Sequence, residues 1–452
     1  MKKFFTSITF SLACLSITAQ SQVEVTPKRK CATVQSNVPQ QAAFEQWMQS
    51  ALLKDNQFAN SRKVSVVYTI PVIFHIIHSG TVVPARNISQ AQVNSQVTIL
   101  NNDYRHLSTD FSTYVTQPSF TTAAADIQVN FCAANVDPNG NVMVEPGIER
   151  VNVATKGWSA LPYATPYIES TVKPGTIWDP TKYYNVWILE FGGADASTLG
   201  YAQFPTVPSG TAPVTDMVGQ GGSASTDGVV IGYKYIGNVG SVSAPYNKGR
   251  TLVHETGHWL GLLHIWGDDG TSCSGTDYVT DTPNQAGENY TCPSTAGAVV
   301  TDVCSASAPG VNYQNFMDYS DDKCMVMFTA GQKARMQAVM ANCTRRLSLN
   351  TSTVCSGNGI NNVGIAEQGS DVEINVYPNP AKGELNVKID LLNAQDFTIS
   401  VINTLGQTVK EIKQNQSNGG TVKIDLSDKT SGIYFVTIKC KSGSFSKKII
   451  LQ

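Results

Sequence analysis

The run LVHETGHWLGLLHIW at 252–266 constrains this 452-residue chain more than any other stretch, because it dictates both a helix and the point where that helix must end. His254 and His258 are four residues apart, so on a helix they lie one above the other and both imidazoles reach a single ion, with the Glu255 carboxylate beside them. His264 comes six residues after His258 and would point away if the helix continued. Gly261 adopts backbone conformations that other residues resist, so the chain turns there and His264 closes the site from outside the helix. Three neutral imidazoles leave the fourth position of a tetrahedral zinc for water, which is the catalytic rather than the structural arrangement. Zinc lowers the pKa of such a water to about 7, and Glu255 is the candidate base that takes its proton.

HExxH alone is a short pattern with many chance matches, and a surface helix with two histidines is the plain alternative. Gly261 and His264 in register, with apolar Leu252, Val253, Leu260 and Leu262 around them, argue against that alternative. The HExxHxxGxxH form resembles the metzincin signature. Metzincins carry a methionine turn under the zinc, and NFMDY at 315–319 offers Met317 as a polarizable floor and the Tyr319 hydroxyl as a donor to the metal or a developing oxyanion. The resemblance narrows with YNKGRTLVHETGHWLGLLHIW, DTP at 281–283, NFMDYSDDKC and FTAGQKARM, joined upstream by WDPTKYYNVWIL, LGYAQFP and DGVVI. Over roughly residues 64–347 the chain is similar to the pappalysin metalloproteases, in their bacterial secreted branch. That resemblance implies a zinc endopeptidase with the metal on His254, His258 and His264, Glu255 as base and Tyr319 as transition-state stabiliser.

Net charge −2 and a charged fraction of 15% argue against a nucleic-acid partner, while 41% hydrophobic content permits a large core in two or three domains. Residues 1–19 read as a signal peptide, with Lys2, Lys3, an apolar run over 4–15 and Ala19. The run falls short of the ~20 residues that span a bilayer, and no other stretch could cross one. Cys14 lies in a poor lipoprotein context. The expected route is through the periplasm to the cell surface or medium. Residues 20–61 are polar, hold Arg29-Lys30-Cys31-Ala32 and a helix-like piece at 41–53, and read as a propeptide. Cys31 is an unpaired bystander, a disulfide partner or a thiolate that blocks zinc. The related proteases use a propeptide cysteine in the last way, although Ala32 stands where glycine is common in such switches. Cys31 is therefore the candidate zymogen switch, with the activating cut expected near Ser61-Arg62.

Residues 62–355 are expected to form the protease domain. The β-branched run at 64–78 reads as a strand that Pro71 interrupts or confines to an edge, with His75 and His78 as structural histidines. A helix at 88–104 and strands at 127–131, 186–189 and 228–231 complete an α/β pattern with a twisted mixed sheet. In an exported chain Cys273, Cys292, Cys304 and Cys324 are disulfide candidates, and composition leaves three pairings open. The resemblance favours Cys273 with Cys304 and Cys292 with Cys324. Asp268, Asp269, Asp277 and Asp281 are candidate ligands of a structural Ca2+, or merely solvated loop carboxylates. A helix at 328–340 ends the domain, and Cys343 with Cys355 would close a small loop after it.

Residues 356–370 are rich in Gly, Asn and Ser and read as a linker. Short alternating strands at 385–387, 399–401, 422–424 and 433–438 then mark residues 371–452 as a β-sandwich. VYPNPAKGELNV, GIYFVTI and Lys447-Lys448 are similar to the C-terminal sorting domains of the type IX secretion system, which implies that secretion machinery as a partner. The expected fold is thus an α/β metzincin-like catalytic domain followed by a small all-β sandwich. In the first, a twisted mixed sheet and an active-site helix precede an irregular, disulfide-stapled C-terminal subdomain. The expected function is a secreted metalloendopeptidase made as a latent zymogen and acting on proteins or peptides. A non-catalytic surface adhesin retaining the fold is the alternative, and the presence of Glu255 speaks against it. A zinc hydrolase of non-peptide amides shares the chemistry and is disfavoured by the resemblance alone.

Overall fold

Apolar side chains buried at consecutive positions, Ile70, Val72, Ile73, Phe74, Ile76 and Ile77, make β1 (Tyr68–His78) a strand covered on both faces. It pairs in parallel with β2 (Val129–Ala133) and β3 (Ile148–Asn152) along one side and with β4 (Tyr184–Leu189) along the other. The far edge is β5 (Gly200–Ala202), antiparallel to β6 (Val229–Gly232), which itself runs parallel to β4. The strand order is β2-β1-β4-β6-β5, with β3 also on β1. This computed structural model describes residues 28–33, 38–57, 67–80, 84–205, 223–268, 273–355, 372–403, 407–440 and 443–452. The signal peptide, Ser61-Arg62, Asp269 and the 356–370 linker lie outside them.

The expectation that Pro71 interrupts β1 or holds it at an edge is corrected, because β1 is continuous and central. Even-numbered residues of β1 bond toward β2 and β3, as Tyr68 N to Gln128 O and Phe74 N to Gly147 O do. Pro71 therefore faces the β4 side, where pairing starts only at Val72 with Tyr184, and its missing N–H falls outside the ladder. His75 is buried, bonded to Asn185 Oδ1 at 2.8 Å and to Glu149, and stacked on Trp187.

Helices cover the sheet. α1 (Val38–Gln57) comes from the N-terminal segment. α2 (Gln90–Tyr104) is capped by Ser89 and packs against α3 (Arg250–Trp259), the helix of the HExxH run. α4 (Ala330–Asn342) opens with a capping box between Thr329 and Gln332, and α5 (Thr344–Leu349) follows. Cys273 is bonded to Cys304 and Cys292 to Cys324, tying the loop after His264 to the one carrying Met317. The expected Cys343–Cys355 loop does not form. Cys355 is joined to Cys132 at the end of β2, alongside the bond from Asn135 N to Val354 O, and Cys343 is a buried free thiol at the α4–α5 junction.

The C-terminal part comprises β7 (Val372–Tyr377), β8 (Glu384–Asn403), β9 (Thr408–Asp425), β10 (Gly432–Cys440) and β11 (Gly443–Leu451). β8 pairs with β7 through its first half and β10 through its second, with register shifts against β9 between Asp390 and Phe397. Leu385, Val387 and Ile389 from one half share a core with Phe397, Ile399 and Val401 from the other, forming a sandwich.

Candidate metal and catalytic centre

Every residue of α3 is buried, so the ends of this helix are satisfied by protein. At its start Asp322 Oδ2 accepts Lys248 N at 2.8 Å and Arg250 N at 3.3 Å, placing a carboxylate at the positive end of the helix dipole. At its end Gly261 N bonds His258 O at 2.8 Å and Leu262 N bonds Gly257 O at 2.9 Å, the paired bonds of a Schellman turn. Gly261 sits at φ +87°, and a side chain there would also press on Val339 and Phe44. This turn returns the chain so that His264 faces His254 and His258.

Each imidazole has its Nδ1 occupied: His254 by Phe316 O at 2.7 Å, His258 by Leu262 O at 2.8 Å, and His264 by Asp268 Oδ1 at 2.9 Å. Backbone carbonyls and a carboxylate accept hydrogen bonds, so each Nδ1 carries the proton and each Nε2 is left with a lone pair. The Nε2 of His258 lies 3.1 Å from that of His254 and 3.1 Å from that of His264. Burial and mutual repulsion hold His254 and His258 well below the usual histidine range, so they are neutral. Three converging lone pairs in a dry site repel one another unless a cation lies among them. The donor set therefore fits a metal ion, and three nitrogens with a nearby sulfur suit zinc.

Around this triad stand the other expected residues. Met317 is fully buried, and its Sδ would lie 2.5 Å from a Cβ added to Gly257, so the thioether packs directly against α3. The Tyr319 ring packs edge-on to His264, with centroids 5.1 Å apart. Glu255 is 1% exposed, and burial raises its carboxyl to about 7 against the hydrogen bonds from Cys31 and Thr33.

The N-terminal segment crosses the site. Cys31 pairs with Gly200 of β5 in a parallel bridge, through Leu199 N to Lys30 O and Ala32 N to Gly200 O, both at 3.0 Å. Cys31 Sγ and ligand atoms of His254, His258 and His264 all lie within 4.8 Å of one another. The sulfur is 3.3 Å and Thr33 Oγ1 3.0 Å from Glu255 Oε2, while Tyr319 Oη is 3.5 Å from the Cys31 carbonyl. Burial and the Glu255 charge push the Cys31 thiol up against the hydrogen bonds from Thr33, and a cation beside it would favour the thiolate. Two residues upstream, Arg29 is 2% exposed, with Nη2 bonded to Asp322 Oδ1 at 2.6 Å and its guanidinium over the Tyr246 ring.

Among the described residues, the calcium candidates Asp268, Asp277 and Asp281 form no metal-binding cluster. Asp268 is spent on His264, Asp277 on Thr282 and the N–H of Val279, and Asp281 accepts Gly331 N. Among the described residues the Cys31 and histidine group is the one cluster of three or more metal-binding side chains. Sequence reasoning missed Arg29, Thr33 and Asp322 as parts of the site. The basic residues beside Cys31 and the acidic pair Asp321-Asp322 were the visible signal, but 293 residues separate Arg29 from Asp322.

Residues 167–341 match the M43 peptidase family, described as pregnancy-associated plasma protein-A, and residues 375–452 match the secretion system C-terminal sorting domain. An extracellular metalloprotease of Colletotrichum graminicola is 31% identical over 336 residues, covering 74% of this chain and 96% of the relative. Among solved structures, Tannerella forsythia mature mirolysin in complex with a cleaved peptide is 38% identical at TM-score 0.55, over 65% of this chain and 98% of its own. A promirolysin mutant from the same organism is 34% identical at TM-score 0.58, over 72% and 98%. No helix among the described residues is long and apolar enough to cross a membrane.

Proposed function

This chain belongs to the M43, pregnancy-associated plasma protein-A, family and is a secreted metalloendopeptidase carrying a type IX sorting domain, and on that premise we propose how its residues divide the work. His254, His258 and His264 would hold zinc. One observation carries this reading: three Nε2 lone pairs converge beside a buried carboxylate, with a cysteine sulfur facing them. Zinc bound there supplies a Lewis acid that polarises a carbonyl and acidifies water. Glu255 takes the proton of the attacking water and later delivers it to the leaving amine. Tyr319 donates to the oxygen of the carbonyl under attack, for which the Cys31 carbonyl stands in. Substrate adds to the β5 edge, where residues 30–32 lie.

Residues 20–61 act as a propeptide. Cys31 would add its sulfur to the histidine donors that hold the metal, and Thr33 and Cys31 together occupy the Glu255 carboxylate, so both halves of the chemistry would be blocked at once. Arg29 marks a subsite for a basic side chain, two positions from the residue at the metal, with Asp322 as its counter-charge. The protease occupies residues 62–355 and the sorting domain 371–452, which engages the secretion machinery. Among the described residues no cluster of three or more carboxylates supports the calcium reading. The test is cleavage profiling on a peptide library with the wild-type enzyme and Asp322→Asn, which keeps an oxygen for the α3 backbone. Wild-type cleavage clusters at one fixed distance from Arg or Lys, and the variant loses that clustering. Equal profiles would remove Asp322 from specificity, and no cleavage by either would remove the hydrolytic reading.

A further inference from the structure

The N-terminal segment holds the enzyme at two places, one at the metal site and one away from it. α1 places Phe44, Trp47 and Met48 in the main core, at 0%, 8% and 0% exposure. Glu45 forms a fork with Arg335 of α4, at 2.7 and 2.6 Å, with both side chains at most 5% exposed. Arg335 also donates to Gly261 O at 3.1 Å, and the Phe44 ring lies against Gly261, so α1 sits on the back of the turn that presents His264. The cleft-side contacts are the strand pairing of residues 30–32, the buried Arg29–Asp322 pair and the bonds to Glu255. Resting on the reading of residues 20–61 as a propeptide, we infer that this segment stays on the enzyme after the cut that severs it. There it is a non-covalent inhibitor clamped by α1.

A cut between residues 57 and 67 breaks none of these contacts, because both docking parts lie N-terminal to it. The two parts belong to one continuous chain, so each holds the other at high effective concentration and the cleft strand rebinds faster than substrate displaces it. Departure of α1 takes both carboxylate oxygens of Glu45 from Arg335 and bares the apolar surface around Gly261 and Val339 to water. The partner that fits this face is thus an amphipathic helix carrying an aromatic residue followed at once by a carboxylate. The chain supplies it in Phe44-Glu45. Activation therefore requires destruction or dilution of the severed segment, not the first cut alone.

The experiment places a site-specific protease sequence within residues 58–66 of the full chain carrying Glu255→Ala, cuts it, and passes it over a sizing column. The fragment is expected to co-elute in equal amount, and separation of the fragment would overturn the inference. This readout involves no hydrolysis by the protein, so it fails or succeeds independently of the protease reading. In the same design with Glu255 intact, the nicked enzyme should hydrolyse a reporter peptide at less than about a tenth of the rate reached after dilution. Full activity with the fragment still bound would overturn its role as inhibitor. Phe44→Ala should release the fragment on the column. Glu45→Gln, which keeps the core filled, should speed release at least about tenfold if Phe44→Ala fails to fold. Unchanged release from Glu45→Gln would show that α1 is not the clamp.

Discussion

Asp227 is the carboxylate on which the C-terminal end of α3 depends, and its replacement by Asn should be strongly destabilising. It is 2% exposed and accepts from Trp259 Nε1 at 3.1 Å, Arg346 Nη1 at 2.7 Å, Arg346 Nη2 at 3.0 Å and Arg345 Nε. Arg346 is 1% exposed and lies over the Trp259 ring at 3.7 Å, so it cannot turn to water when its partner is lost. Removing one member of such a buried pair costs about 3–5 kcal/mol. At roughly 2–4 °C per kcal/mol that lowers the melting temperature by about 6–20 °C. Urea unfolding followed by tryptophan fluorescence reads the loss, and Arg346→Met added to Asp227→Asn should restore part of it. Burial pushes the Asp227 carboxyl up, but Arg346 and Arg345 more than reverse this and leave it below the usual range. The lowered value means that the stabilisation is complete at neutral pH and is lost as pH falls below about 4 toward the folded value. The gap between wild type and Asp227→Asn should shrink over that range. A loss under about 1 kcal/mol at pH 7, or a gap independent of pH, would refute the reasoning.

Three further outcomes follow from the site. Intact precursor carrying Cys31→Ala should hydrolyse a reporter peptide measurably faster than intact wild-type precursor, and equal silence would assign latency to bulk rather than to sulfur. Asp268→Ala removes the carboxylate at Nδ1 of His264 and should weaken zinc retention about 10- to 100-fold in chelator competition, with unchanged retention counting against its role. Tyr319→Phe should lower kcat about 10- to 1000-fold with a smaller change in KM, whereas a change in KM alone would make it a binding residue.

Much of the architecture was legible in local pattern. Residues four apart define a helix face, a glycine three residues past the second histidine defines where the helix stops, and alternating apolar residues define the C-terminal strands. What was not legible depends on long-range pairing. Pro71 looked like an interruption because its tolerance is decided by where β4 begins to pair, more than one hundred residues later. Cys355 looked like the partner of nearby Cys343, yet it meets Cys132 across a separation of 223 residues. Asp268 carried the composition of a calcium loop, and its place on the His264 imidazole depends on the turn at Gly261. The pocket holding Arg29 is made by the start of α3, Tyr246 and Asp322, three pieces that the sequence alone does not bring together.

The most direct test of the central claim uses the processed enzyme and its Glu255→Ala counterpart, measuring bound zinc and peptide hydrolysis on the same samples. The three imidazoles and their Nδ1 partners are untouched by the change, so one zinc per chain should remain while turnover falls by about 100- to 10,000-fold. Turnover within a few-fold of wild type with zinc still bound would contradict the account, because proton transfer would then not pass through Glu255.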